Sequence, residues 1–239
     1  MRRDETSVKV GLSRRYIADT SLLNNFVHSA SAHVLDRILQ EPVRLSKTVL
    51  DVEETLLPDF PLTEPTSEFL RPLYMAGLPG HSDYRKIAPF IQSFALDAGS
   101  RWEPVQPSED ELGLAARLSS KTIRSRMRYA CPEVSRRKTE LDAGEAEAAA
   151  IAITRGWTFL TDDQASTDLL QCLYSSVPVL GTCTLLVHAT ERGILTCEEA
   201  SELFNSRMVD ELGFWATRRA GGPRQRLWLC CDPASCRWE

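Results

Sequence analysis

The stretch Tyr16-Ile17-Ala18-Asp19-Thr20-Ser21-Leu22-Leu23-Asn24-Asn25-Phe26-Val27 decides how this chain is read. A short apolar run ends on an acid, two hydroxyl residues follow, and apolar residues then recur at helical spacing. The segment therefore reads as a strand, a turn carrying Asp19, and a helix. Two later segments repeat the pattern. Leu141-Asp142-Ala143-Gly144-Glu145-Ala146-Glu147-Ala148 puts Glu145 at the head of an alanine-rich helix, and Trp157-Thr158-Phe159-Leu160-Thr161-Asp162-Asp163 puts two acids just past a strand. Carboxylates gathered at such ends repel and raise one another's pKa, and a divalent cation removes that repulsion. The pattern points to a hard-metal site and to phosphate chemistry.

Working outward, Val43-Arg44-Leu45 reads as a second strand after Pro42, with Ser46 capping a helix through Val49, Val52, Glu53 and Leu56. The second half alternates again. Helices are expected at 144–153, 168–174, 182–192 and 198–208, and strands at 157–160 and 177–180. Such alternation implies a parallel sheet with helices on both faces, whose ligand site lies outside the carboxyl ends of the strands. Between the halves, Pro58, Pro61, Pro65, Pro72 and Pro79 break regular structure, a helix is expected at 84–96, and Ser108-Glu109-Asp110-Glu111 is a capping box. The fold class is α/β, a small doubly wound parallel sheet flanked by helices, with a mostly helical insertion at about 58–138. Residues 1–14 read as a frayed N-terminus, 15–215 as the domain, and 216–239 as a C-terminal extension with a basic turn at Gly221-Gly222-Pro223-Arg224-Gln225-Arg226.

The net charge of −5 argues against a surface coated in positive charge for non-specific nucleic-acid binding, but leaves room for a local basic groove. One candidate groove is the run Lys121, Arg124, Arg126, Arg128, Arg136, Arg137 and Lys138; the competing reading is cations collected at a helix C-terminus. Lysine occurs only at 9, 47, 86, 121 and 138, so arginine carries most positive charge, which suits phosphate contacts or reflects a GC-rich genome. The seven cysteines show no CxxC pair, and Met1-Arg2-Arg3-Asp4-Glu5 opens no apolar leader. Reduced thiols, a cytoplasmic location and no membrane contact are expected. Cys230, Cys231 and Cys236 lack a fourth ligand for zinc, and His28, His33, His81 and His188 show no spacing for a metal or a triad.

Taken singly, each acidic cluster has a plainer reading. Asp19-Thr20-Ser21 is a competent helix cap, Glu145 and Glu147 complement a helix dipole, Asp162-Asp163 suits a turn, and Glu53 and Glu54 suit a solvated helix face. Jointly, at the proper ends of a β-α alternation, they read as one site. Glu147, two residues from Glu145, points to another face and reads as structural.

The segments Tyr16-Ile17-Ala18-Asp19-Thr20-Ser21, Leu141 to Ala148, Thr161-Asp162-Asp163, and Val179-Leu180-Gly181-Thr182-Cys183-Thr184-Leu185-Leu186 resemble the PIN-domain family. The resemblance is to the VapC-like branch with a Gly-Glu-Ala-Glu-Ala helix and a late Gly-Thr turn, and it covers about 15–56 and 140–215. It implies a PIN-like fold and a metal-dependent endoribonuclease using Mg²⁺ or Mn²⁺ on RNA, of the kind that includes toxins of toxin–antitoxin pairs. By the same resemblance Asp19, Glu53, Glu145 and Asp163 are the catalytic acids, with Glu54 and Asp51 as alternatives to Glu53. On that reading Asp19, Glu145, Asp162 and Asp163 would hold the metal and Thr20 or Ser21, and Thr161, a metal-bound water; Arg124 and Arg128 of the basic run are the candidate substrate contacts. An antitoxin and a second copy of the chain are the expected protein partners. The competing reading is a non-catalytic PIN module that binds nucleic acid or a partner protein.

Overall fold

The computed structural model describes residues 15–54, 61–132 and 141–211. The expected N-terminal fraying, the ends of the run Arg136-Arg137-Lys138, Leu56, Pro58 and the C-terminal extension lie outside them. Five parallel strands make one sheet: β1 (Tyr16–Ala18), β2 (Val43–Ser46), β3 (Trp102–Val105), β4 (Thr158–Leu160) and β5 (Val179–Leu180). Their order across the sheet is β3-β2-β1-β4-β5. The described helices are α1 (Thr20–His28), α2 (Ala32–Leu39), α3 (Arg71–Gly77), α4 (Ser82–Leu96), α5 (Glu109–Leu118), α6 (Lys121–Ala130), α7 (Ala143–Arg155), α8 (Gln164–Leu173), α9 (Thr182–Glu191) and α10 (Cys197–Ser201). A short 3-10 turn at Glu68–Leu70 leads into α3, and a π-helical stretch at Glu202–Glu211 follows α10.

Two cores cover the two faces of the sheet. Phe26 of α1, Leu35 of α2, Phe69, Phe94 of α4 and Leu186 of α9 fill one. Ile17, Phe159, Leu118 of α5, Met127 of α6, Ile151 of α7 and Leu169 of α8 fill the other. This is the doubly wound arrangement, reached because β1 and β4 are apolar on both sides: Ile17, Ala18, Phe159 and Leu160 have no exposure to solvent. Ala18 pairs in register with Leu160. The residues that follow each, Asp19 and Thr161, therefore leave the sheet side by side.

Three expectations are corrected. No helix runs from Ser46 through Glu53. Residues 47–53 are turns, because the Asp51 side chain accepts from Glu53 N at 2.9 Å and Glu54 turns away to accept from the backbone of Thr66 and Ser67. Side-chain bonding of this kind competes with a helical ladder. Second, the insertion contains a strand: β3 pairs with β2 along its whole length, and Pro104 is tolerated because β3 is an edge. Third, the thiols are not all reduced. Cys131, which caps α6, is bonded to Cys172 of α8 with the Cα atoms 6.2 Å apart, and Cys183 and Cys197 are also disulfide-bonded. Among the described residues no helix is long and apolar enough to cross a membrane.

Candidate active site

The site forms where β1 and β4 end. Asp19 follows β1 and is fully buried. It caps α1 by accepting from Leu22 N at 3.1 Å, and its two oxygens also take hydroxyl donors from Ser21, at 2.8 Å, and from Thr161. Ser21 Oγ in turn accepts from Asp162 N at 3.1 Å, and Thr161 Oγ1 accepts from Asp163 N at 3.0 Å. These two hydroxyls therefore staple the end of β4 to the end of β1. Burial, with the charge of Asp162 as the smallest contributor, outweighs these hydrogen bonds and pushes Asp19 up to about 7.

Glu145 reaches the same place from the first turn of α7, which runs back along the sheet so that its N-terminus lies at the carboxyl edge. One carboxylate oxygen accepts from Asp142 N at 3.0 Å, as a capping box requires. Burial foremost, then the charges of Asp163 and Asp19, push Glu145 up to about 8. Asp163 caps α8, accepting from Ser166 N at 2.7 Å. Glu145 thus senses both Asp163 and Asp19, and among the described residues neither Asp19 nor Glu145 forms an ion pair with a lysine or arginine.

Asp162 faces another way. Its oxygens accept from the backbone N of Thr182 at 2.8 Å, from the Thr182 hydroxyl, and from Asn25 Nδ2 at 2.8 Å. A Cβ on Gly181 would stand 2.8 Å from Asp162 Oδ1, so the Gly-Thr turn exists to let α9 close onto this carboxylate. Asp162 ties β4 to α1 and α9.

Glu53, the fourth acid expected from the sequence, is not buried with Asp19. The Glu53 side chain is 87% exposed and lies 3.8 Å from Lys47 Nζ. Asp51 pairs with Lys47 at 3.2 Å. Glu54 accepts four hydrogen bonds from Thr66 and Ser67, which hold it well below the usual carboxylate range at about 2 despite its burial. These bonds clasp the loop shut and bring Glu68 to the site instead. Glu68 N donates to Thr48 O at 3.0 Å, Thr20 Oγ1 donates to Glu68 Oε2 at 2.9 Å, and that oxygen packs against Gly144, beside Glu145. Glu147 supports the same corner by accepting from Thr48 Oγ1 at 2.9 Å. The sequence signal for Glu68 was the short helical segment after the proline-rich loop, Ser67-Glu68-Phe69-Leu70, masked by its distance from β2.

Thr20, Ser21 and Thr161 thus each give a hydroxyl to a carboxylate. Arg128 is exposed on α6, and the Arg124 side chain lies outside the described residues. Glu68 and Glu145 open onto a cleft of about 840 Å³ between α1 and the α3–α4 pair, also lined by Thr20, Asn24 and His28. No described residue of α6 lines it. Among the described residues no group of three or more His, Cys, Asp or Glu side chains is arranged to hold a metal ion. The donor set is nevertheless all oxygen, and buried carboxylates with raised pKa values and no paired cation suit a hard divalent ion.

Residues 108–221 match a family model described as a PIN domain. The match takes in α5 to α10, hence Glu145 and Asp163, and does not reach Asp19 or Glu68. No curated protein and no solved structure matches the chain.

Proposed function

We propose that this protein is a metal-dependent ribonuclease whose acids are Asp19, Glu68, Glu145 and Asp163, a reading supported by the match of residues 108–221 to a PIN-domain model, a nuclease-type module. The observation that carries the reading is the pair of raised carboxylates at the carboxyl edge of the sheet, Asp19 buried and Glu145 half-buried, with no paired cation among the described residues. Asp19, Glu145 and Asp163 would hold Mg²⁺ or Mn²⁺, with Glu68 at the open side. The bound ion supplies a water of lowered pKa and neutralises charge on a phosphodiester.

The chain's own groups do the rest. Ser21 and Thr161 fix both oxygens of Asp19, so the carboxylate cannot rotate away. Thr20 orients Glu68. Glu145 keeps its proton at neutral pH until a cation displaces it. Asp162 positions the strand end that bears Asp163. Arg128, on the exposed face of α6, would meet RNA phosphates away from the cleft.

The test is cleavage of single-stranded RNA with Mg²⁺ or Mn²⁺. Asp19→Asn, Glu68→Gln, Glu145→Gln and Asp163→Asn should each lower the rate by about a hundredfold or more. Wild-type rates in these variants would sink the reading. RNA binding without cleavage by the unaltered chain would favour the non-catalytic module. A toxin held by an antitoxin is the finer form of the proposal. It predicts growth arrest on expression, absent with Asp19→Asn and relieved by a co-expressed partner.

A further inference from the structure

The cleft beside the acids carries two unanswered polar atoms. Asn24 and His28 stand one turn apart on α1, in line with Thr20, and both line the cleft. Asn24 Oδ1 and His28 Nε2 are shut off from solvent and have no hydrogen-bond partner among the described residues. A buried polar atom left unsatisfied is destabilising, so two in one wall call for a ligand that answers them. Burial pushes the His28 imidazole down to about 4, so at neutral pH it is an uncharged hydrogen-bonding group. The opposite wall belongs to the α3–α4 pair, with Met75 and Tyr84 facing the cleft. Acids outnumber bases along the rim: Glu68, Glu145, Asp83 and Asp142 against Arg71 and Lys86. That balance disfavours a phosphate inside the cleft and suits a neutral, flat ligand with hydrogen-bonding edges.

We propose that the cleft between α1 and α3–α4 is a subsite for one unpaired nucleobase, read by Asn24 and His28, next to the phosphodiester held at Glu68 and Glu145. This rests on the ribonuclease reading for its substrate. The volume of about 840 Å³ exceeds that of a base and leaves room for its sugar. Small rotations of the terminal amide and imidazole bring Oδ1 and Nε2 to the cleft surface, torsions that are broad for both residue types. Proteins commonly recognise RNA sequence on unstacked bases, through hydrogen bonds to their edges and contact with side-chain planes. The α3–α4 pair would thus be a specificity wall, added to the sheet by the chain between β2 and β3.

The experiment uses the full chain carrying Asp19→Asn and a set of single-stranded RNA hexamers that differ at one position, with affinity read by fluorescence anisotropy. One base should bind about tenfold tighter than the others, the equivalent of about 1.4 kcal/mol. Asn24→Leu, His28→Leu and the cleft-filling Met75→Trp should each erase the preference, with thermal melts showing that the variants fold. Asn24→Asp, which keeps the shape and loses the amide, should alter the preference if the leucine variant does not fold. Equal affinity for all hexamers, no hexamer binding, or a preference unchanged in folded variants overturns the subsite. A base preference in a chain whose unmutated form cleaves no RNA would leave the subsite standing and remove the ribonuclease reading. Cleavage without base preference would do the reverse.

Discussion

The Glu68 carboxylate lies against Gly144, so close that a Cβ on the glycine would stand 2.8 Å from Oε2. The atom in the way is the far end of a flexible side chain, so Gly144→Ala displaces Glu68 rather than the backbone. Within a helix, alanine in place of glycine normally stabilises by about 0.5–1 kcal/mol. The expected outcome is a protein of equal or higher melting temperature whose cleavage rate falls about tenfold or more. Calorimetry and an RNA cleavage assay on the same sample check both halves. An unimpaired rate would mean that Glu68 lies outside the machinery.

Glu53 and Glu68 compete for the role of fourth acid. Glu53 is exposed beside Lys47, whereas Glu68 is held by Thr20. Glu68→Gln should therefore lower metal-dependent cleavage by about a hundredfold, and Glu53→Gln should leave it within about twofold. Titration calorimetry with Mn²⁺ should show the same contrast in affinity.

Stability without metal should fall as pH rises. Asp19 and Glu145 have folded pKa values raised, to about 7 and about 8, above ordinary carboxylate values near 4. The folded chain holds protons that the unfolded chain has released. The associated stability is complete below about pH 4 and is lost as pH rises through 7 and 8, at up to about 1.4 kcal/mol per pKa unit and group. Urea unfolding at pH 5 and pH 8.5 should give the lower midpoint at pH 8.5. Added Mn²⁺ should restore more at pH 8.5, where the carboxylates are ionised, and Asp19→Asn should flatten the slope.

The Cys131–Cys172 bond ties the end of α6 to α8 across 41 residues. Cys131→Ser with Cys172→Ser should cost about 2–4 kcal/mol of stability. Since neither residue lines the cleft, cleavage at a temperature where the variant is folded should be unchanged. Unfolding midpoints of the two proteins under non-reducing conditions check the first statement, and steady-state rates the second.

Much of the fold was legible because its signals are local. Asp19 follows three apolar residues and starts an apolar-periodic helix; Gly156, in the left-handed region, ends α7. Asp19, Glu145 and Asp163 were readable because each also serves as a cap or lies in a capping box, which fixes the acid to a helix end whatever the rest of the chain does. β3 was not legible, since Trp102-Glu103-Pro104-Val105 becomes a strand only by pairing with β2.

By itself the sequence determined the β-α alternation, the parallel sheet and three acids at one of its edges, because periodicity and caps act within a few residues. The tertiary structure alone decided which of the neighbouring acids lies beside Glu145. Glu53, Glu54 and Glu68 are indistinguishable as acids along the chain. Glu54 is consumed by closing the loop, Glu53 is left in solvent, and Glu68 is delivered to Thr20 and Gly144 by contacts 48 and 76 residues away in the chain. The roles of Asp162 and Asp163 separate for the same reason. Asp162 is taken up by Thr182 and Asn25 when α9 closes onto it, whereas Asp163 caps α8.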